Sequence, residues 1–184
     1  MKLVLIRHCE TDWNIANRMQ GQTDTALNDN GRQQALDLCD QLEPLGFSRI
    51  FSSDLKRAVQ TAQIISLRLG APVRTDVRLR ECNFGQLEGM TFSQVAAKYP
   101  HPHLYPAKAE FYTSEKEPYD FTAFGGESKA DVLKRHLEFI AELKNNHAAE
   151  TILAIGHGTG LNTLLATLGQ EPNLKRGELR FVDV

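Results

Sequence analysis

The chain has 184 residues, of which 41% are hydrophobic and 24% charged, and its formal net charge is -2. This length fits one domain with a sizeable core, and the hydrophobic content excludes wholesale disorder. The small net charge argues against a general nucleic-acid-binding protein, because such proteins are usually basic.

No apolar run in the sequence approaches the roughly 18 residues that a membrane span needs. The first apolar stretch, Leu3–Ile6, is also too short for the apolar region of a signal peptide. We therefore expect a cytoplasmic protein that does not associate with membranes. The three cysteines include no CxxC pair, which argues against a disulfide framework and against a structural zinc site.

The first half of the chain alternates short apolar strands with amphipathic helices. Strands are predicted over Lys2–Ile6, Arg49–Phe51 and Val73–Leu79. One helix, capped by Asn28, is predicted to run through Leu42, and a second, capped by Ser53, is predicted to end at Gly70.

Residues 90–127 differ in composition from the rest of the chain. They hold most of the aromatic residues and four of the seven prolines, and this proline density breaks long helices and strands. The segment is either a long loop whose rings pack on the body or a lid that selects the substrate. In the second case, Tyr99, Tyr105 and Tyr112 are candidates for contact with the substrate.

Strand and helix alternate again after this segment. Ser128 and Asp131 form a capping-box pattern at the start of a helix. A strand over Thr151–Ile155, a helix through about Leu168 and an edge strand over Arg180–Val184 are predicted to follow. The predicted fold is α/β: a single domain over 1–184, built as a three-layer α/β/α sandwich around a mostly parallel sheet with helices on both faces.

Charged and imidazole side chains follow several of the predicted strands. Arg7 and His8 follow the first strand, His157 follows Thr151–Ile155, and Glu81 follows Val73–Leu79. Ligands of such sheets bind beyond the carboxyl ends of the strands. Arg57 lies in the first turn of a helix, where a cation opposes the helix dipole. It could therefore serve with Arg7 to hold a phosphate.

Four motifs in order along the chain resemble the histidine phosphatase superfamily, also called phosphoglycerate-mutase-like. They read LIRHCETDWN, SSDLKRAVQTA, LRECNFGQLEG and AIGHGTG, and the resemblance runs from Leu3 to about Leu168. It implies a phosphate-ester enzyme that needs no metal or other cofactor. Neither the Cys-x5-Arg pattern of cysteine phosphatases nor a GxxxxGK[ST] nucleotide loop is present. We interpret His101 and His103 as surface residues rather than metal ligands.

The resemblance also implies roles for individual residues. His8 would be the nucleophile that becomes a phosphohistidine, Glu81 would be the proton donor, and three residues would line the phosphate pocket: Arg7, Arg57 and His157. Asn14 would be a further contact to the phosphate. Further candidates for substrate binding, with loop stabilisation as the alternative, are Thr11, Gln20, Gly21, Gln22 and Gly158.

The chain is shorter than cofactor-dependent mutases of this family, which favours a phosphatase over a mutase. The FGQLEG and GGES segments look most like the α-ribazole-5′-phosphate phosphatases of cobalamin synthesis. A broad-specificity small-molecule phosphatase, a mutase and a non-catalytic phosphate-binding module remain alternatives. The expected partner is a small phosphate monoester, and the sequence leaves open whether the protein is a monomer or a homodimer.

Cys9 departs from the family pattern, which has glycine after the Arg-His pair. Because Arg7 and His8 precede it, the sequence suggests that neighbouring positive charge ionises part of the thiol and makes it reactive. A small side chain packed beneath the strand end is the alternative.

Overall fold

The computed structural model describes residues 1–99, 104, 110–116 and 118–183. The strands are β1 (Lys2–Arg7), β2 (Arg49–Ser52), β3 (Val73–Thr75), β4 (Thr151–Gly156) and β5 (Leu179–Asp183). The helices are α1 (Asp12–Ile15), α2 (Asp29–Leu42), α3 (Lys56–Leu69), α4 (Phe92–Lys98), α5 (Glu110–Thr113), α6 (Lys129–Asn146) and α7 (Gly158–Thr167). Within the described ranges, no helix combines the length and apolar character needed to cross a membrane.

The five strands form one sheet in the order β3-β2-β4-β1-β5. The first four are mutually parallel, and β5 runs antiparallel to β1 at the edge. β1 and β4 are neighbours, and their register pairs Arg7 with Gly156. The residues that follow these two strands, His8 and His157, therefore leave the same edge of the sheet side by side.

Side chains alternate between the two faces of the sheet, and helices cover each face. Val4 and Ile6 of β1 join a core cluster with α2 and α3. Leu3 and Leu5 join a second cluster with α6 and α7. The predicted three-layer sandwich with a mostly parallel sheet is therefore confirmed.

Two predicted boundaries are wrong. Leu55, in extended conformation, is the N-cap of α3, while the hydroxyl of Ser53 accepts the amide of Leu55 in the turn before it. β3 ends at Thr75, because the carboxylate of Asp76 accepts the amide of Arg78 and starts a 3-10 turn over Val77–Leu79. Side chains of this kind compete with strand hydrogen bonding for the backbone.

The described residues of the segment 90–127 contribute aromatic rings to a third apolar cluster. Phe111 stacks on Tyr119 with ring centroids 4.7 Å apart, and Phe121 lies 4.8 Å from Phe84 at a steep angle. These rings pack against Val132 of α6. The aromatic residues of the segment that the structure describes therefore belong to this cluster or pack against it.

Candidate active site

A pocket opens beyond the carboxyl ends of β1 and β4. It brings together the predicted nucleophile, arginine pair and acid: His8, Arg7, Arg57 and Glu81. Its wall also includes Asn14, Gln20, Gly21 and Gly158 from the predicted set. His157 is fully buried beside it, with its ring centroid 5.0 Å from that of His8.

His8 presents one ring nitrogen to this pocket. Its Nδ1 lies 2.7 Å from the carbonyl oxygen of Cys9. Because a carbonyl can only accept, Nδ1 carries the proton and Nε2 is left with its lone pair. Burial lowers the pKa of His8 well below 6.5, and the positive charges of Arg57 and Arg7 lower it further. The imidazole is therefore neutral at physiological pH, as a nucleophile requires.

His157 has no hydrogen-bond partner on either ring nitrogen among the described residues. Buried polar atoms are nearly always paired, so an orphan of this kind marks a place where a ligand or water binds. Burial lowers the pKa of His157 well below 6.5, followed by the charge of Arg57. The His157 ring is therefore neutral, and its one N–H group can donate a hydrogen bond to an anion.

Arg57 is fully buried, yet it forms no ion pair with a carboxylate within the described ranges. Its guanidinium donates to the carbonyl oxygens of Gly21 (2.7 Å) and Thr23 (2.9 Å), and its Nε is unpartnered. Burial lowers the pKa of Arg57 to about 10, so the group stays charged at neutral pH. The carboxylates of Glu81, Asp24 and Glu88 offset part of the cost of burying this charge, and an anion bound in direct contact would offset more of it.

Arg7 is half-buried and also has an unsatisfied guanidinium group. Its Nε is buried without a partner, and one amino group donates a long 3.4 Å hydrogen bond to the carbonyl of Leu174. Burial lowers its pKa from the usual value. A Cβ on Gly158 would lie 2.8 Å from the Arg7 Cζ, so only glycine lets this guanidinium lie against the start of α7.

Glu81 lies at the amino end of α7. Its carboxylate accepts the amides of Cys82 (2.8 Å), Thr159 (3.1 Å) and Gly160 (3.2 Å). These bonds fix the side chain at the pocket wall.

Arg135 of α6 secures the backbone behind Glu81. Its guanidinium donates to the carbonyl oxygens of Arg80 (2.5 Å) and Glu81 (3.0 Å) and to both carboxylate oxygens of Glu127. Sequence reasoning missed Arg135; the signal was its spacing from Glu127 in the GGES segment, which lets one pair of side chains tie α6 to the Glu81 loop.

The loop that carries Gln20 and Gly21 is shaped by Glu88. Gly21 has φ +52, and a Cβ there would come within 2.0 Å of the Glu88 carboxylate. That carboxylate accepts the amides of Gln22 and Thr23, both at 2.9 Å. Because their amides face Glu88, the carbonyls of this loop can face Arg57.

Two predicted substrate contacts lie outside the pocket wall. Thr11 is fully buried, caps α1 and donates to Gln20 Oε1 at 3.2 Å. Gln22 turns away and donates to the carbonyl of Glu81 at 3.2 Å. Both residues therefore hold neighbouring parts of the site in place.

Cys9 is not a reactive thiolate. Its side chain is fully buried in the cluster beneath α2 and α3, and burial raises its pKa to about 12. The hypothesis of a partly ionised thiol is therefore wrong, because desolvation dominates and the hydrogen bond with Thr61 offsets it only in part. The alternative of a small packed side chain is what the structure shows.

The wall of the pocket also includes residues that sequence reasoning did not single out as site residues. These are Asn17, Arg18, Met19, Phe84, Phe92, Thr159 and Arg176. Among the three tyrosines proposed to contact substrate, Tyr112 lines the pocket. Tyr105 lies outside the described residues. In the part of the chain that the structure describes, no three His, Cys, Asp or Glu side chains are arranged to hold a metal ion; His101 and His103 fall outside that part.

Comparison with known proteins identifies the same superfamily that the four sequence motifs resemble. The family model of the histidine phosphatase superfamily (branch 1) matches residues 3–181. Glucosyl-3-phosphoglycerate phosphatase of Mycobacterium tuberculosis is 39% identical over 142 residues, which cover 77% of this chain and 60% of that protein. The chain thus matches less than two thirds of that relative's length.

Solved structures align over nearly the whole chain. A mycobacterial glucosyl-3-phosphoglycerate phosphatase complexed with VO3 is 32% identical, with a TM-score of 0.82 over 99% of this chain and 92% of the other. Phosphoserine phosphatase of Entamoeba histolytica in complex with 3-phosphoglyceric acid is 30% identical, with a TM-score of 0.78 over 98% of this chain and 89% of the other.

Proposed function

The chain belongs to branch 1 of the histidine phosphatase superfamily, and from that membership we propose that it hydrolyses phosphate monoesters through a phosphohistidine on His8. The observation that carries the proposal is the set of unpartnered groups around that ring. Arg7 and Arg57 line the pocket, His157 lies against His8, and each of the three has a buried nitrogen atom without a partner among the described residues. A phosphate dianion would pair with both guanidinium groups and accept from the imidazole.

The first half of the reaction transfers the phosphoryl group to the enzyme. The Nε2 lone pair of His8 attacks phosphorus while the bond from phosphorus to the ester oxygen breaks on the opposite side. Arg7, Arg57 and His157 stabilise the charge on the equatorial oxygens. Glu81, in its protonated form, gives its proton to the leaving oxygen, so the alcohol departs neutral.

The second half regenerates the enzyme. The Glu81 carboxylate takes a proton from a water molecule as that water attacks the phosphohistidine. The P–N bond breaks, its electron pair returns to Nε2 of His8, and inorganic phosphate is released. The hydrogen bond from Nδ1 to the Cys9 carbonyl holds the ring in the same tautomer throughout.

The leaving group is open to two proposals. The FGQLEG and GGES segments support α-ribazole 5′-phosphate, and the aromatic rings of Phe84, Phe92 and Tyr112 in the pocket wall could stack on its base. The names of the related phosphatases support a phosphorylated carboxylic acid instead, such as a glycerate or serine phosphate. Two guanidinium groups beyond Arg7 and Arg57 in the pocket wall, those of Arg18 and Arg176, favour this second proposal.

His8→Ala is the direct test of the proposed function. With p-nitrophenyl phosphate and no added metal, we expect turnover by the wild type and none by the variant. Wild type quenched in alkali during turnover should carry an acid-labile phosphoryl group, and His8→Ala should carry none. His147→Ala is the matched control, because His147 packs near Phe51 and Glu150, away from the pocket.

The alternatives give different results in the same assay. Retention of turnover by His8→Ala would contradict the proposed nucleophile. Tight phosphate binding without turnover of any ester would identify a non-catalytic binding module, and return of the phosphoryl group to a second glycerate hydroxyl would identify a mutase.

A further inference from the structure

The hydrogen bond that sets the tautomer of His8 goes to a backbone carbonyl, that of Cys9, at 2.7 Å. A neutral imidazole can place its proton on either nitrogen, and the partner of one nitrogen decides which of the two keeps the lone pair. The direction of the Cys9 carbonyl therefore decides whether Nε2 can attack phosphorus. That direction depends in turn on the peptide plane to which the carbonyl belongs.

Gln34 of α2 holds the opposite edge of the same peptide unit. The bond between Cys9 and Glu10 is trans and planar, so its C=O and N–H groups point in opposite directions. The amide of Glu10 donates to Oε1 of Gln34 at 3.0 Å. Loss of this acceptor would free the plane to tilt and would move the Cys9 carbonyl away from His8.

Thr61 of α3 holds the preceding peptide unit. The amide of Cys9 donates to Oγ1 of Thr61 at 3.3 Å, and that hydroxyl donates its own proton to the carbonyl of Arg57 at 2.8 Å. Thr61 is fully buried, so a side chain without a hydroxyl would leave the amide of Cys9 without a partner. The two peptide units that follow His8 are thus each held by a side chain from a different helix.

Neither Gln34 nor Thr61 lines the pocket, so both are too far back to touch a bound ester. We propose that they are positioning residues, which act through the backbone of Cys9 and Glu10 to keep the proton of His8 on Nδ1 and its lone pair on Nε2. This inference rests on the proposed function and adds to it the side chains that prepare the nucleophile. Because the phosphate would be held by other groups, loss of this support should slow attack on phosphorus and leave phosphate affinity unchanged.

Gln34→Met tests the first support, because it keeps the length of the side chain and removes the acceptor. We expect the rate of phosphoenzyme formation from p-nitrophenyl phosphate, measured by rapid quench, to fall by about 2–10-fold, the size of one neutral hydrogen bond. The inhibition constant of orthophosphate should stay the same. Gln34→Glu keeps an acceptor oxygen and should recover most of the rate.

Gln33→Met is the matched control for this variant. It makes the same change at the adjacent position of α2, where the side chain is exposed and donates to Asp37 at 2.8 Å. We expect it to keep the wild-type rate of phosphoenzyme formation.

Thr61→Val tests the second support, because it keeps the shape of the side chain and removes the hydroxyl. We expect the same rate to fall, and Thr61→Ser to recover most of it. Thr163→Val is the matched control, since Thr163 is an equally buried threonine whose hydroxyl bonds to that of Tyr119 at 2.9 Å. It should lower the urea midpoint and leave the rate of phosphoenzyme formation unchanged.

Nitrogen-15 NMR of the His8 ring gives a measurement that is independent of turnover. The chemical shift distinguishes a protonated ring nitrogen from an unprotonated one, and the spectrum of His8→Ala assigns the signals. We expect the resting wild type to carry the proton on Nδ1, and Gln34→Met and Thr61→Val to carry a larger fraction of it on Nε2. A purely structural role would lower the urea midpoint without changing these fractions.

The inference would be overturned for either residue whose variant keeps both the wild-type tautomer and the wild-type rate, or loses no more than its matched control. A wild-type His8 ring with its proton on Nε2 would overturn it for both residues. Failure of the wild type to hydrolyse any ester would instead contradict the proposed function, and the tautomer fractions would still decide whether Gln34 and Thr61 position His8.

Discussion

Glu81 has two proposed tasks that need opposite protonation states, proton donor to the alcohol and then proton acceptor from water. Glu81→Gln keeps the size of the side chain but removes both tasks. We expect kcat for alkyl phosphates to fall by about 10²–10⁴-fold, the usual contribution of positioned proton transfer. The rate of phosphoenzyme formation from p-nitrophenyl phosphate should fall much less, because nitrophenolate leaves without a proton.

Rapid-quench measurement of phosphoenzyme formation separates this step from hydrolysis. Equal losses of that rate for both kinds of ester would remove Glu81 from the role of proton donor.

The buried thiol of Cys9 should resist chemical modification. With a pKa raised to about 12, the thiolate is scarce at neutral pH, and the side chain has no exposed surface. We expect iodoacetamide to leave Cys9 unmodified in the native protein and to alkylate it in urea, as followed by mass spectrometry. Cys9→Gly should stay active, since the thiol has no task in the site. Rapid alkylation that inorganic phosphate prevents would contradict this expectation.

The sequence predicts the positions of some residues of this site but not of others. His8, Arg57 and Glu81 follow strands in recognisable motifs, so their common location was predictable. The direction of the Cys9 side chain was not, because residues adjacent in sequence can face opposite sides of a strand end. Arg176 lies in no recognised motif, and its place depends on a bridge to Arg7 across a long stretch of chain.

The short helix α5 connects the aromatic segment to the pocket through one residue. Tyr112 lines the pocket, whereas Tyr99 packs on Phe124 with ring centroids 4.9 Å apart. We expect Tyr112→Ala to lower kcat/KM for the true substrate by about 2–10-fold, the size of one aromatic contact, with a smaller effect on p-nitrophenyl phosphate. Tyr99→Ala, the matched control, should lower the urea midpoint and leave the ratio of the two kcat/KM values unchanged. A uniform loss on both substrates in Tyr112→Ala would assign Tyr112 a purely structural role.

The start of a helix was predictable where a side chain next to it caps the helix. Asn28 caps α2, and the Ser128–Asp131 capping box starts α6, as predicted. The start of α3 and the end of β3 were not predictable in the same way. Both limits depend on hydrogen bonds from backbone amides to the side chains of Ser53 and Asp76. These bonds differ little in free energy from the backbone hydrogen bonds of a helix or strand, so the sequence alone does not show which will form.

Three histidines buried in neutral form should make the whole molecule sensitive to acid. Burial lowers the pKa of His8, of His157 and of His136, the last to about 3. The unfolded chain binds protons at these rings below about pH 6.5, while the folded chain does not. The free energy of unfolding therefore falls as pH falls below that value, by up to about 1.4 kcal/mol per pH unit for each ring.

Urea denaturation between pH 7 and pH 5 measures this dependence. His136→Gln removes one of the three rings away from the proposed chemistry, and we expect it to reduce the slope by about one proton. An unchanged slope would show that His136 is not a neutral ring in the folded protein.

The order of the sheet was the least predictable feature of the whole molecule. Strand positions followed from apolar runs, but pairing of β1 with β4 joins segments from opposite ends of the chain. Alternation of strands and helices predicted the layers, since each apolar face needs a cover. Which strands are neighbours depends on contacts between segments far apart in the sequence, and the local sequence pattern does not determine them.

The pocket proposed to bind the phosphate dianion also has a consequence for the end of the reaction. In the proposed mechanism, Arg7, Arg57 and His157 contact the phosphoryl part of the ester, so the orthophosphate that hydrolysis releases would contact the same three groups. Orthophosphate would compete with the next ester molecule for the site. The alcohol part of the ester would add affinity only through its contacts at the pocket entrance. Throughput in a cell would then follow the ratio of ester to orthophosphate rather than the ester concentration alone, and the enzyme would slow whenever phosphate is abundant.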